Sequence, residues 1–302
     1  MDPTLPYHQL FRGPDRRWWR ALVGAVVLVG LTLLIALALF LAAGLALLIA
    51  FGDRLTAIPF DGDLTGLLAG TLAPWTLLAT NLTLATFIPA ALLANLIAQR
   101  CGFGYSLGVT GRLRWGLLGR MLLWLAPLYL AAGAVEAFLP KAARDAMPPA
   151  TVVLTVLVVL TTTPLQSAAE EILFRGWLVQ NVGSWFANRW LGLAATTLVS
   201  AVAFAAAHGS VDPATVIPLA AMAIVACWVT YRTGGLEGAI AIHVSNNVIG
   251  MVVSLELGTF SQGFISDDTV TPWLSSLLWV ALTLTAGAVA LKAAGKRVFA
   301  LG

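Results

Sequence analysis

Charge is what this sequence has least of. Only 10% of its 302 residues are Asp, Glu, Lys or Arg, against roughly 25% in a soluble globular domain. No polar stretch is long enough to build a soluble domain. The net charge of +3 is too small a surplus for nucleic-acid binding. Cysteine is scarce as well. Cys101 and Cys227 make no metal-binding or disulfide spacing pattern, and both read as reduced, structural residues. Repeats and low-complexity linkers are absent, so the chain reads as a basic head over residues 1–20 and a single membrane domain over 21–302.

What is present is apolar: 59% hydrophobic residues and a mean hydropathy of +0.90. Ala21–Phe51 carries no charge. That is longer than the roughly 7–15 apolar residues of a signal-peptide core, so a retained, tilted helix is expected. A second span is expected within Leu64–Gln99 and a third at Leu117–Leu139. Thr151–Thr163 leads through Pro164 into the first acidic cluster inside an apolar region. Further spans follow at Leu191–Ala207, Pro213–Tyr231, Ala239–Leu255 and Trp273–Leu291. Each approaches the roughly 20 residues needed to cross a bilayer. The expected fold is all-α and polytopic, with about eight transmembrane helices around an intramembrane polar cavity.

The polar residues between spans are uneven in sign. Arg12, Arg16, Arg17 and Arg20 precede the first span beside Trp18 and Trp19, and Arg100–Arg114 is a basic loop. Lys292, Lys296 and Arg297 follow the last span. Asp53, Arg54, Asp61 and Asp63 form an expected acidic loop, and Asp267 with Asp268 another, while Lys141 and Arg144 run against the pattern. By the positive-inside rule both termini are cytoplasmic, in a bacterial-type plasma membrane. His8 lies in the basic head, where no chemistry is expected of it.

Gln166–Trp177 holds Glu170, Glu171 and Arg175. Charges inside a membrane face a protein interior or a watery cavity and mark function. In a helix Glu171 and Arg175 stand at i, i+4 with the acid first, the favourable order. Glu170 then points about 100° away. Glu171 is expected to hold the site together with Arg175, and Glu170 to project into a cavity as a general base. Glu170 lies as far from the turn near Arg189 as His208 does, which predicts one long helix, bent at Pro164, carrying the acids inward. His208 follows Phe204 by one turn, and His243 precedes Asn247 by one turn. Glutamate and histidine together activate water, and histidine with asparagine donates to a developing oxyanion. Two histidines and a glutamate are equally a zinc ligand set with an open position. Packing alone accounts for any one of these residues; the combination is what points to hydrolysis of a carbonyl compound.

The set Glu170-Glu171 with Arg175, Phe204 with His208, and His243 with Asn247 resembles the motifs of the CPBP (Abi) family of intramembrane proteases, which includes type II CAAX prenyl endopeptidases and bacteriocin-processing and immunity proteins. The resemblance covers about 151–255. It implies Glu170 as catalytic glutamate, His208 as its partner, His243 and Asn247 as the oxyanion pair, and Glu171 and Arg175 as support. If a divalent metal such as zinc is used, Glu170, His208 and His243 are the implied ligands. The implied function is an endopeptidase acting on a membrane-associated or hydrophobic peptide or protein substrate in the bilayer. Two rivals share these residues: a non-hydrolytic immunity or scaffold protein of the same fold, and an ion-coupled transporter using the charges as a proton relay. The paired broken helices and repeats common in transporters are absent from the sequence.

Overall fold

Each long uncharged run folds as a helix, because lipid offers the backbone no hydrogen-bond partners and a helix supplies its own. The computed structural model describes residues 5–13, 17–55, 74–138 and 147–295. The helices are α1 (Trp19–Leu55), α2 (Pro74–Ala85), α3 (Phe87–Gln99), α4 (Trp115–Glu136) and α5 (Pro149–Glu171). A π-helical turn, Ile172–Leu178, joins α5 to the short α6 (Val179–Gly183). Then come α7 (Arg189–Ala206), α8 (Pro213–Thr233), α9 (Glu237–Leu257) and α10 (Trp273–Ala294). Counting α2 with α3, and α5 through α6, as single crossings, 8 spans are long and apolar enough to traverse a bilayer. No strand occurs among the described residues, where Gly108 and Gly235 form an isolated bridge. The protein is an all-α, multi-pass membrane protein.

One sequence expectation shifts at the edge of the first span. The helix α1 continues through Asp53 and Arg54, which were expected in a loop. At ~1.5 Å per residue it is ~55 Å long, well beyond a ~30 Å hydrocarbon core, so it tilts or projects. Its main packing partner is α3, and Val26, Phe40 and Ile49 are 74%, 74% and 78% exposed, as suits a lipid-facing helix. Arg16, Asp61, Asp63, Lys141, Arg144, Lys296, Arg297 and residues 64–73 lie outside the described residues.

The helix α9 is the centre of the bundle and packs on α4, α5 and α8. Close approach there needs small residues. A β-carbon on Gly133 of α4 would meet Val253 Cγ2 of α9 at 2.7 Å. Pro164 sits inside α5 and removes one helical donor. Beside it, Asn81 of α2 donates to Thr162 Oγ1 at 2.9 Å and Thr163 Oγ1 at 3.1 Å, which ties α2 to the proline region.

Antiparallel spans put alternate connections on one face. The 100–114 loop, the α6–α7 turn, the α8–α9 turn and the end of α10 share the face of the N-terminus. The Arg114 guanidinium bonds Glu237 at 2.6 Å, and Val109 N–H donates to Gly234 O at 2.8 Å. Arg12, Arg17, Arg20, Arg100, Arg112, Arg189, Arg232 and Lys292 belong to this face. Glu136, Asp212, Glu256, Asp267 and Asp268 belong to the opposite one.

The basic head is not a free interfacial segment. Its turn Tyr7–Gln9 is buried in this face of the bundle. Tyr7 Oη donates to Ser106 O at 2.6 Å, Gln9 Nε2 donates to Phe186 O at 2.8 Å, and His8 Nε2 lies 3.0 Å from Arg189 O. That carbonyl can only accept, so Nε2 carries the proton. Gly183 permits the fit, because a β-carbon there would run into the His8 carbonyl oxygen. Burial lowers the His8 pKa to about 4, the bond to Arg189 opposing only part of the shift. The docked histidine is therefore neutral. Below the ordinary value of about 6.5 an undocked segment takes up a proton that the docked one refuses, so docking weakens as pH falls from 6.5 toward 4, by about 3 kcal/mol in all. Hydrogen exchange at Tyr7–Phe11, corrected for intrinsic rates, is expected to rise across that window. In His8→Gln the pH dependence should vanish.

Candidate active site

Glu170 and Glu171 end α5, and Arg175 lies one turn on, inside the π-helical turn. Such turns widen the helix by one residue and occur often at functional sites. The widened turn is held from outside. Asn95 Nδ2 of α3 donates to Gly176 O at 3.3 Å, and Asn181 Nδ2 donates to Trp177 O at 2.8 Å and to Asn95 Oδ1 at 3.0 Å.

The expected pair forms. Arg175 Nη1 donates to Glu171 Oε1 at 3.0 Å, with both side chains fully buried. The same oxygen lies 2.7 Å from His243 Nδ1, which links α5 to α9. A carboxylate oxygen accepts, so Nδ1 carries the proton and Nε2 is the nitrogen left to work. His243 Nε2 faces Glu170 Oε2 at 3.7 Å. That is beyond a direct hydrogen bond.

Glu170 is largely buried beside this ring. It is 8% exposed, and its Oε1 accepts from Gln166 Nε2 at 2.6 Å. Its Oε2 is buried with no hydrogen-bond partner among the described residues. A cavity of about 220 Å³ lies elsewhere, between Met147, Val152, Leu255, Glu256 and Phe260. Glu256 is nine residues along α9 from Asn247, ~14 Å at the helical rise. The carboxylates are largely buried, while His208 and Asn247 beside them are partly exposed.

Phe204 joins the remaining motif residues. Its buried ring lies 4.9 Å from the His208 ring, 5.8 Å from the His243 ring and 5.3 Å from Phe174, and Arg175 Cζ stacks 4.7 Å from its centroid. His208 is half-buried, and its Nδ1 lies 2.8 Å from Phe204 O one turn back. Nδ1–H is then the donor, and Nε2 carries the lone pair. His243 is thus the histidine placed against both glutamates, and His208 joins them through the phenylalanine ring.

Gln166 is the site residue that motif reasoning passed over. Its Oε1 accepts from Asn247 Nδ2 at 3.3 Å and from Ser167 Oγ at 3.2 Å, while its amide nitrogen holds Glu170. It therefore sets the distance between the glutamate and the asparagine. The signal was available, because Gln166 and Glu170 are i, i+4 on one helix. Asn246 Nδ2 donates to Asn247 Oδ1 at 3.0 Å and fixes that amide's direction. Cys101 and Cys227 are both free thiols.

The donor set was also compared with what a metal requires. Among the described residues no three of His, Cys, Asp and Glu converge closely enough to hold an ion. Glu170 Oε2 and His243 Nε2 supply two donors, and the other nitrogen of His243 is occupied by Glu171. The residues present do not fit a metal.

Removing one member of a buried ion pair leaves a bare charge, which costs about 3–5 kcal/mol. Arg175→Met is expected to lose stability on that scale in detergent unfolding. Adding Glu171→Gln should restore part of it, because the stranded charge is gone.

The sequence was compared with known proteins. No curated protein and no solved structure matches the chain. One family does, over residues 149–249, from the first residue of α5 to the last turns of α9. That stretch contains Gln166, Glu170, Glu171, Arg175, Phe204, His208, His243 and Asn247. Within the eight-span bundle this stretch, about a third of the chain, is similar to the family described as Type II CAAX prenyl endopeptidase Rce1-like.

Proposed function

We propose that the protein is an intramembrane endopeptidase of the CAAX protease type, hydrolysing a peptide bond of a membrane-associated substrate. The observation that carries the reading is Glu170 Oε2, a buried carboxylate oxygen with no partner, aimed at an imidazole nitrogen in a helix pinned by an ion pair. Burying such an oxygen without a hydrogen bond is costly, and a water entering with the substrate would supply that bond.

The residues divide the work as follows. Glu170, ionised, takes a proton from a water that enters with the substrate, and His208 Nε2 accepts a second hydrogen bond from that water. The hydroxide attacks the scissile carbonyl. His243 donates from Nε2 to the oxyanion when its ring carries both protons, Nδ1–H staying on Glu171. Asn247 donates with the amide hydrogen that Gln166 does not hold. Glu170 then returns its proton to the leaving amine. Glu171 and Arg175 do not touch the substrate; they fix the ring of His243. The charge difference between the two faces supports cytoplasmic termini.

The buried ion pair and the Gln166 bonds favour one alternative, a non-hydrolytic scaffold that uses the same polar residues to fix its helices. The test separates them. The purified protein in lipid is incubated with membrane-anchored peptides and C-terminal peptides, prenylated and unprenylated, and the products are read by mass spectrometry. The parent is expected to cleave, and Glu170→Gln to lose a factor of ~10²–10⁴ in kcat while remaining folded. Activity should survive a strong chelator. Absence of cleavage from every peptide class by well-folded parent supports the scaffold reading. Gln166→Leu is expected to lower kcat about tenfold, ~1.4 kcal/mol, with KM changed little, because it loosens groups that act only in the transition state.

A further inference from the structure

The basic face carries a cluster outside the catalytic residues that neither the family match nor the proposed reaction uses. At the start of α7, Arg189 stacks on Trp190, with the guanidinium carbon 5.0 Å from the indole centroid. At the end of α8, Arg232 stacks on Trp228 one turn back, at 5.3 Å. Both indoles lie against one ring, Tyr231, at centroid distances of 5.8 Å and 5.7 Å. Tyr231 is buried, whereas Trp190 and Trp228 are 53% and 39% exposed. The result is a continuous aromatic platform across α7 and α8 with a guanidinium at either side.

Each part suits a phosphate at a membrane surface. Tryptophan and tyrosine settle at the headgroup level, where their rings meet both apolar and polar surroundings. Arginine is the residue that forks onto phosphate oxygens, and stacking on an indole holds its plane in place beforehand. Below the platform each helix presents an exposed apolar stripe, Leu191, Leu198 and Val202 on α7 and Ile217 and Ile224 on α8. Their spacings of seven and four residues keep each stripe on one helix face. Charge above and hydrocarbon below is the profile of an anionic phospholipid, and neither a soluble phosphate nor an acidic peptide would use the stripes.

We propose that the Arg189–Trp190–Tyr231–Trp228–Arg232 cluster is a binding site for an anionic phospholipid headgroup on the face shared by both chain ends. The site differs from the general attraction of a basic face for an acidic leaflet, which is worth about 1 kcal/mol per cation and needs no particular geometry. Tyr231 also touches His8, at a ring distance of 5.8 Å, so the lipid site borders the docked N-terminal turn.

The test uses the full-length protein in detergent and native mass spectrometry. Phosphatidylglycerol and phosphatidylcholine with identical acyl chains are titrated in parallel. The parent is expected to retain one phosphatidylglycerol at least fivefold more tightly than phosphatidylcholine. Arg189→Gln with Arg232→Gln should abolish that preference. Arg112→Gln with Lys292→Gln removes the same charge from two other exposed positions of this face and should leave affinity within twofold. Arg189→Lys with Arg232→Lys keeps the charge and the fold but not the planar stack, and should lose more than half of the preference. Equal retention of both lipids by the parent overturns the proposal. So does an equal loss in the Arg112/Lys292 variant, which would leave only the diffuse field of the face.

Discussion

The arrangement depends on one carboxylate oxygen, Glu171 Oε1, which holds Arg175 at 3.0 Å and His243 at 2.7 Å. Both bonds are buried, so little water competes for them. Through this oxygen α5, the π-helical turn and α9 share one fixed point. Everything placed near the reacting position follows from it. His243 has its tautomer set, so its Nε2 turns toward Glu170. Arg175, held at one end, lays its guanidinium on Phe204, and that ring in turn meets His208. A buried ion pair contributes little net stability against apolar residues of the same size. Its value here is geometric, since it selects one register for three elements.

The π-helical turn explains how a single helix can serve both ends of this arrangement. In a regular helix Gly176 and Trp177 would use their carbonyls internally. Here those carbonyls also accept from the Asn95 and Asn181 side chains, which ties α3 and α6 to the widened turn. Buried amide networks are costly unless fully paired. This one is extended by Gln99, which donates to Asn181 Oδ1 at 2.7 Å, and by Ser106, which accepts from Asn95 at 2.9 Å. Ser106 also receives Tyr7 at its carbonyl oxygen. The docked N-terminal turn and the carboxylate cluster are thus two ends of one polar seam through an otherwise apolar bundle.

The opposite end of the bundle is built differently. There Asp212 caps α8 and also accepts from Thr271 N, while Thr215 and Thr271 hydroxyls meet at 2.7 Å. Those bonds lie at an exposed rim and hold the connection before α10 against the start of α8. Asp212 titrates below the ordinary aspartate range, chiefly because the Thr215 hydroxyl donates to its charged form. His208 stands four residues before it, so the half-buried histidine lies at the edge of the bundle's better-hydrated end.

The sequence by itself determined the spans, the sign difference between the faces, and the pairing of Glu171 with Arg175. Lipid leaves the backbone no alternative to helices, and i, i+4 spacing is local geometry that needs no tertiary fold. The same locality pointed to Phe204 with His208 and His243 with Asn247 as pairs on single helices. Which pair meets which acid was a tertiary decision. The spacing left His208 as the nearest partner for Glu170, whereas packing of α9 on α5 set His243 against both glutamates. The contact of Gln166 with Glu170 is local i, i+4 geometry, whereas its bond to Asn247 depends on α9 arriving beside it. The burial of Glu170 and of His8 was likewise decided by tertiary packing. Burial is a property of neighbours 70 to 180 residues away in sequence, and the hydrophobic pattern of a membrane helix does not distinguish a lipid neighbour from a protein one.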